Sequence, residues 1–98
     1  MESTIKAKLV NIEKGLQEYD NVEMVRVKSV DHTLLILQNY MPLLGRLDGY
    51  VELVFEDRTL RFNDLHGYYM HKKNVFSLLV QEGELIPEDV IEEASDVR

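Results

Sequence analysis

Cysteine is absent from the 98 residues, which excludes a disulfide framework and any thiolate metal site. No segment is both long and apolar enough to cross a bilayer. Residues Met1 to Lys8 carry charges but lack the apolar stretch and small-residue cleavage site of a secretory leader, and they are unlike an Arg- and Ser-rich transit peptide. The expectation is a soluble protein of an interior compartment. Basic residues are also scarce, at 11 Lys and Arg against 18 Asp and Glu, for a net charge of −7. From Gln81 onward seven acids (Glu82, Glu84, Glu88, Asp89, Glu92, Glu93, Asp96) face one base, Arg98. The rest of the chain is nearly neutral, so it lacks the basic footprint that nucleic acid or anionic lipid requires.

What the chain does contain is apolar alternation. A 45% hydrophobic content marks it as globular, and its length suits a single domain. Lys6 to Val10, Val25 to Lys28, Val51 to Phe55 and Leu60 to Phe62 alternate in type, as half-buried strands do. Glu56-Asp57-Arg58 and Lys72-Lys73-Asn74 are polar breaks between apolar runs and predict two antiparallel hairpins. Leu34 to Leu37 is continuous rather than alternating; its short length favours a strand buried on both faces over a helix. Pro42 makes Gln38 to Pro42 a loop or an edge. Only Pro87 to Arg98 has a helical pattern, with early acids and a narrow stripe of Val90, Ile91 and Ala94, and twelve residues make a marginal helix.

These readings predict an all-β protein: a flattened antiparallel β-sandwich of about 8 to 10 short strands over residues 1–86, followed by a short acidic segment, 87–98. The expected core is Ile5, Leu9, Val25, Val27, Leu34, Ile36, Leu43, Leu47, Val51, Leu53, Phe55, Leu60, Phe62, Val75, Leu78 and Val80. Burial of each large member contributes roughly 1.5 to 3 kcal/mol.

Reactive chemistry is hard to find. His66 and His71 are five apart, so on one strand they point to opposite faces, and a histidine metal site is not expected. Ser3, Ser29, Ser77 and Ser95 lie in no Gly-x-Ser-x-Gly turn. Gly45-Arg46-Leu47-Asp48-Gly49 lacks the lysine and helix of a phosphate loop. The expectation is a non-catalytic binding protein without cofactor or metal. Loop aromatics such as Tyr40 fit a role as interface anchors.

The run from Val27 to Leu44 resembles the signature of the ε subunit of F-type rotary ATPases. In words, that signature is an acid, then Gly-Glu-Leu-Gly-Ile-Leu-Pro, a variable residue, then His-Ala-Pro-Leu-Leu. Asp31, Leu34, Ile36, Leu37, Pro42, Leu43 and Leu44 match it in order and spacing. Leu60-Arg61-Phe62, Gly67 to Met70 and Asn74 to Leu79 are similar to the family's later hairpin and valine strand. The chain departs from the family at His32, Leu35 and His66 (glycine in the family), Gln38 (proline), Tyr40 (histidine), Met41 (alanine) and Thr33, where a carboxylate is common.

The resemblance implies a subunit of the rotating central stalk, which couples rotation and nucleotide hydrolysis or synthesis to proton transport without making or breaking a bond itself. It would bind a γ-like subunit, usually the c ring, and the α and β subunits indirectly, at the inner face of the cell membrane and without inserting into it. By motif position Asn11, Tyr40, Met41 and Gly45 face γ, and Asp31, His32 and Thr33 lie in the loop that meets the c ring. The loss of the carboxylate at Thr33 leaves open a motor that drives something other than the usual ring, and a generic sandwich adaptor is the remaining alternative. Leu85 to Asp89 and Ile91 to Ala94 are similar to the family's junction with two C-terminal helices, but no arginine precedes Ala94, so neither a nucleotide site nor a helical brake is expected.

Overall fold

A computed structural model describes residues 4–90. These residues form eight strands: β1 (Ile5–Asn11), β2 (Gly15–Val22), β3 (Met24–Ser29), β4 (Thr33–Leu37), β5 (Leu43–Val54), β6 (Thr59–Lys72), β7 (Val75–Glu82) and β8 (Glu88–Asp89). They hydrogen-bond in the order β2-β1-β7-β6-β5-β3-β4, with β8 added to β6.

The two long strands turn this continuous sheet into two layers. β3 pairs only with residues 49–54 of β5, whereas β7 pairs only with residues 66–72 of β6. Between these halves the β5–β6 register shifts next to Tyr50, and Asp64 takes a φ of 58°. Asn63 and Asp64 stand opposite the single Tyr50, and this extra residue on β6 bends the paired strands. One layer is therefore β4-β3, the second half of β5, the first half of β6, and β8. The other is the first half of β5, the second half of β6, then β7-β1-β2. Side chains from both inner faces meet between them, as in a β-sandwich.

Local chemistry fixes the turns. Lys73 and Asn74 both have positive φ, 53° and 62°, as a two-residue hairpin turn requires. The Asn11 side-chain oxygen accepts from the Glu13 and Lys14 amides at 2.8 and 3.0 Å, and Gly15 follows at φ 102°, closing the β1–β2 hairpin. The Phe55 amide donates to the Arg58 carbonyl at 2.7 Å, across the polar break read in the sequence.

Several expectations change. β1 and β7 pair in parallel, so the sandwich is mixed rather than wholly antiparallel. β4 is an edge strand with Ile36 buried but Leu35 and Leu37 each 47% exposed, not a strand buried on both faces. In β7 the inward residues are Phe76, Leu78 and Val80; Val75 is three positions from Leu78, and an odd separation places it on the other face. Leu34, Leu43 and Phe55 pack on the core margin, and Ala7, Val22, Leu65, Tyr69 and Leu85 join the centre. His71 is wholly buried rather than a surface histidine. The helix from Pro87 was expected to be short, frayed or absent, and Glu88–Asp89 pairs with β6 as a strand; residues 91–98 lie outside the described part.

Candidate interaction surface

The β3–β4 turn carries Asp31 and His32, and Thr33 begins β4. Its base is tied by the Ser29 amide to the His32 carbonyl at 2.8 Å, and by the Asp48 amide to the Ser29 hydroxyl at 2.8 Å. His32 Nδ1 lies 2.7 Å from the Asp31 carboxylate and its Nε2 lies 3.0 Å from the Tyr69 hydroxyl. The hydrogen bond from His32 lowers the Asp31 pKa, while burial raises that of Tyr69. This chain of groups looks like an acid–base relay. It ends, however, on a phenol only 4% exposed, where no substrate has access.

Tyr69 links this turn to Gly45. A Cβ at Gly45 would stand 2.5 Å from the Tyr69 ring, so the glycine leaves the room in which that ring lies. The ring also stacks on Phe76, centroids 6.0 Å apart. Gly45 and His32 are thus brought together through one buried tyrosine. Tyr69→Phe should keep the packing and lose the bond to His32, costing about 0.5 to 1.5 kcal/mol. Urea denaturation tests this, and an unchanged midpoint would show the bond contributes nothing.

The other positions lie elsewhere. Tyr40 packs partly against the core, whereas Met41 beside it is 65% exposed. Their loop is held at the β6–β7 turn by the Asn39 amide donating to the Asn74 side-chain oxygen at 2.6 Å. Asn11 is at the opposite end of β1, where its Nδ2 donates to the Gly83 carbonyl at 2.9 Å. From Lys6, whose amide donates to the Asn74 carbonyl, to Asn11 is five residues, or about 16 Å.

Between those ends lies a surface the sequence reading missed. On the outer face of the β5-β6-β7-β1-β2 layer, strand register aligns Tyr68, Leu79, Val10 and Leu16 in one row. Leu44 and Met70 lie opposite each other in the next. Leu44 is 75% exposed, Leu16 55%, Tyr68 47% and Met70 46%. Such a contiguous apolar patch on a water-facing sheet marks an interaction surface. Its signal was available: Leu43-Leu44, Tyr68-Tyr69 and Leu78-Leu79 are apolar pairs on strands, and one member of each pair must point away from the core.

No group of three or more His, Asp or Glu is placed to hold an ion among the described residues. No helix among them is long and apolar enough to cross a membrane.

No protein-family model and no curated protein sequence matches the chain. Solved structures do. A chain of the mitochondrial ATP synthase of Euglena gracilis, from an assembly of OSCP, F1 and c-ring, aligns with a TM-score of 0.73 at 12% identity, over 98% of this chain and 58% of that one. A chain of the mitochondrial ATP synthase of Tetrahymena thermophila, from the central stalk and c-ring, aligns with a TM-score of 0.63 at 17% identity, over 83% of this chain and 66% of that one. The chain thus spans about three-fifths to two-thirds of the length of these neighbours, and it shares the β-sandwich fold found in chains of two ATP synthases, one of them in a central-stalk and c-ring assembly.

Proposed function

We propose that this chain is an ε-type subunit of the rotating central stalk of an F-type or F1-like ATPase, seated against a γ-like subunit. The observation that carries the reading is the exposed apolar face of Leu44, Tyr68, Met70 and Leu79 on a sandwich shared with ATP synthase chains. Met41 and Asn11 border this face at its two ends and extend the γ contact; Tyr40 and Gly45 shape the loop and strand behind it. Asp31, His32 and Thr33 form the turn offered to the c ring, with Val30 at its tip 83% exposed.

The mechanism is mechanical. A close-packed sandwich resists compression, so a load applied at one end reaches a partner on its face. The subunit carries force and leaves nucleotide chemistry to others.

The test is affinity purification from the native source with a high-salt wash, which removes contacts between exposed charges and spares apolar ones. A γ-like coiled coil with α and β subunits should remain bound. Leu79→Glu and Tyr68→Ala should each weaken that association by about 1 to 3 kcal/mol, and Tyr40→Ala tests the loop separately. Retention of γ by Leu79→Glu at wild-type affinity would remove this face from the interface. A chain that purifies free of any nucleotide-driven assembly would overturn the reading.

A further inference from the structure

The opposite layer has a second surface that the stalk reading does not use. Strand register places Leu37, Met24 and Val54 side by side on its outer face, and Leu35, Arg26, Glu52 and Arg61 in the adjoining row. Lys28 lies in the row beyond, between Thr33 and Tyr50. Leu35 and Leu37 are each 47% exposed, while Met24 and Val54 are half-buried. Together they make an apolar corner at the β4 edge.

The charges beside this corner are unevenly available. Glu52 is only 3% exposed. Arg26 holds one of its oxygens at 2.8 Å and Arg61 the other at 2.6 Å. Arg61 also lies over the Tyr50 ring, 4.7 Å from its centroid. With that carboxylate covered, the charges next to Leu35 are cationic: Arg26, whose side chain is 41% exposed, and the exposed Lys28. Beyond Met24 and Val54 the balance turns negative, with exposed Glu23, Glu56 and Asp57 against Arg58. In a chain of net charge −7, an apolar corner flanked on one side by exposed Lys28 and by two arginines that share the single carboxylate of Glu52 selects its partner by sign.

We propose that this face docks an amphipathic helix of a partner protein, with an apolar stripe on Leu35, Leu37, Met24 and Val54 and carboxylates toward Arg26 and Lys28. Leu35 and Leu37 stand about 7 Å apart along the strand, close to the spacing of side chains one turn apart on a helix. The acids at the other border repel a carboxylate there, so the helix has one orientation. The inference stands apart from the stalk reading, and it leaves the other layer free.

The full chain, labelled with 15N, is titrated with two synthetic helical peptides of roughly 18 residues that share one leucine stripe, one flanked by Glu and the other by Lys. The Glu-flanked peptide should bind and shift the amides of β3, β4 and the end of β5. Lys28→Glu combined with Leu35→Ser, both at exposed positions, should weaken it at least about tenfold. Equal affinity for the Lys-flanked peptide, shifts confined to β1 and β7, or binding indifferent to the double substitution would each overturn the proposal. So would dimerisation of the chain that the same substitutions abolish, since the occupant would then be a second copy.

Discussion

Gly67→Val should unfold or nearly unfold this protein, and Gly67→Ala should cost about 2 to 4 kcal/mol. Gly67 is in the second half of β6, between Leu47 on β5 and Val80 on β7, just past the register shift next to His66. A Cβ there would run into the carbonyl oxygen of Leu79, which is backbone, and would stand 3.0 Å from the Val80 Cα. A flexible side chain could move aside; a paired strand moves only by breaking its ladder. Loss of that pairing would separate β7, β1 and β2 from the rest of the sandwich, because among the described strands β7 alone joins β1 and β2 to β6. Thermal unfolding followed by circular dichroism measures the effect. The size of the fall matters: a Gly67→Ala midpoint within a degree or two of wild type would mean that the strands have room to separate.

How far the sequence could be read follows from how water sorts side chains. β1, β3 and the hairpin turns were legible because each strand has one wet face and one dry face, so hydrophobicity alternates. β2 was invisible for the opposite reason. Its inward positions include Gln17 and Tyr19, which satisfy each other through a 2.8 Å hydrogen bond, and Gln17 also donates to the Leu85 carbonyl at 2.9 Å. An edge strand that closes the core with polar atoms shows no apolar period. The parallel pairing of β1 with β7 is a long-range choice with no local signature. Nor does residue type reveal the bends in β5 and β6, since they come from two β6 residues, Asn63 and Asp64, standing opposite the single Tyr50, with a positive φ at Asp64.

The candidate site was partly legible. Motif resemblance pointed to the β3–β4 turn and the Tyr40 loop, and both are on the surface. It could not show that Gly45 faces inward against Tyr69, because a glycine has no side chain whose chemistry would assign it to one face. The exposed apolar rows needed register, which places residues from five strands next to one another.

His71→Leu should stabilise the fold by about 1 to 3 kcal/mol at neutral pH and flatten its response to acid. His71 lies on β6 between Leu43 and Phe76 on the adjacent strands, with 0% exposure. Neither ring nitrogen meets a hydrogen-bond partner among the described residues, so folding removes two polar atoms from water without replacement. Burial lowers its pKa below the usual histidine value. A base with a depressed pKa stays neutral in the folded chain while the unfolded chain takes up a proton below about pH 6.5. The unfolded state then binds more protons, and stability is lost as pH falls from that value toward the folded pKa. Above about pH 7 this loss is absent, and only the desolvation cost remains. His71→Gln separates the two effects, because it keeps a buried polar group and removes the titration. Urea midpoints of the three proteins at about pH 7.5 and pH 5.5 decide the matter. If all three lose the same stability on acidification, His71 is not the group that titrates.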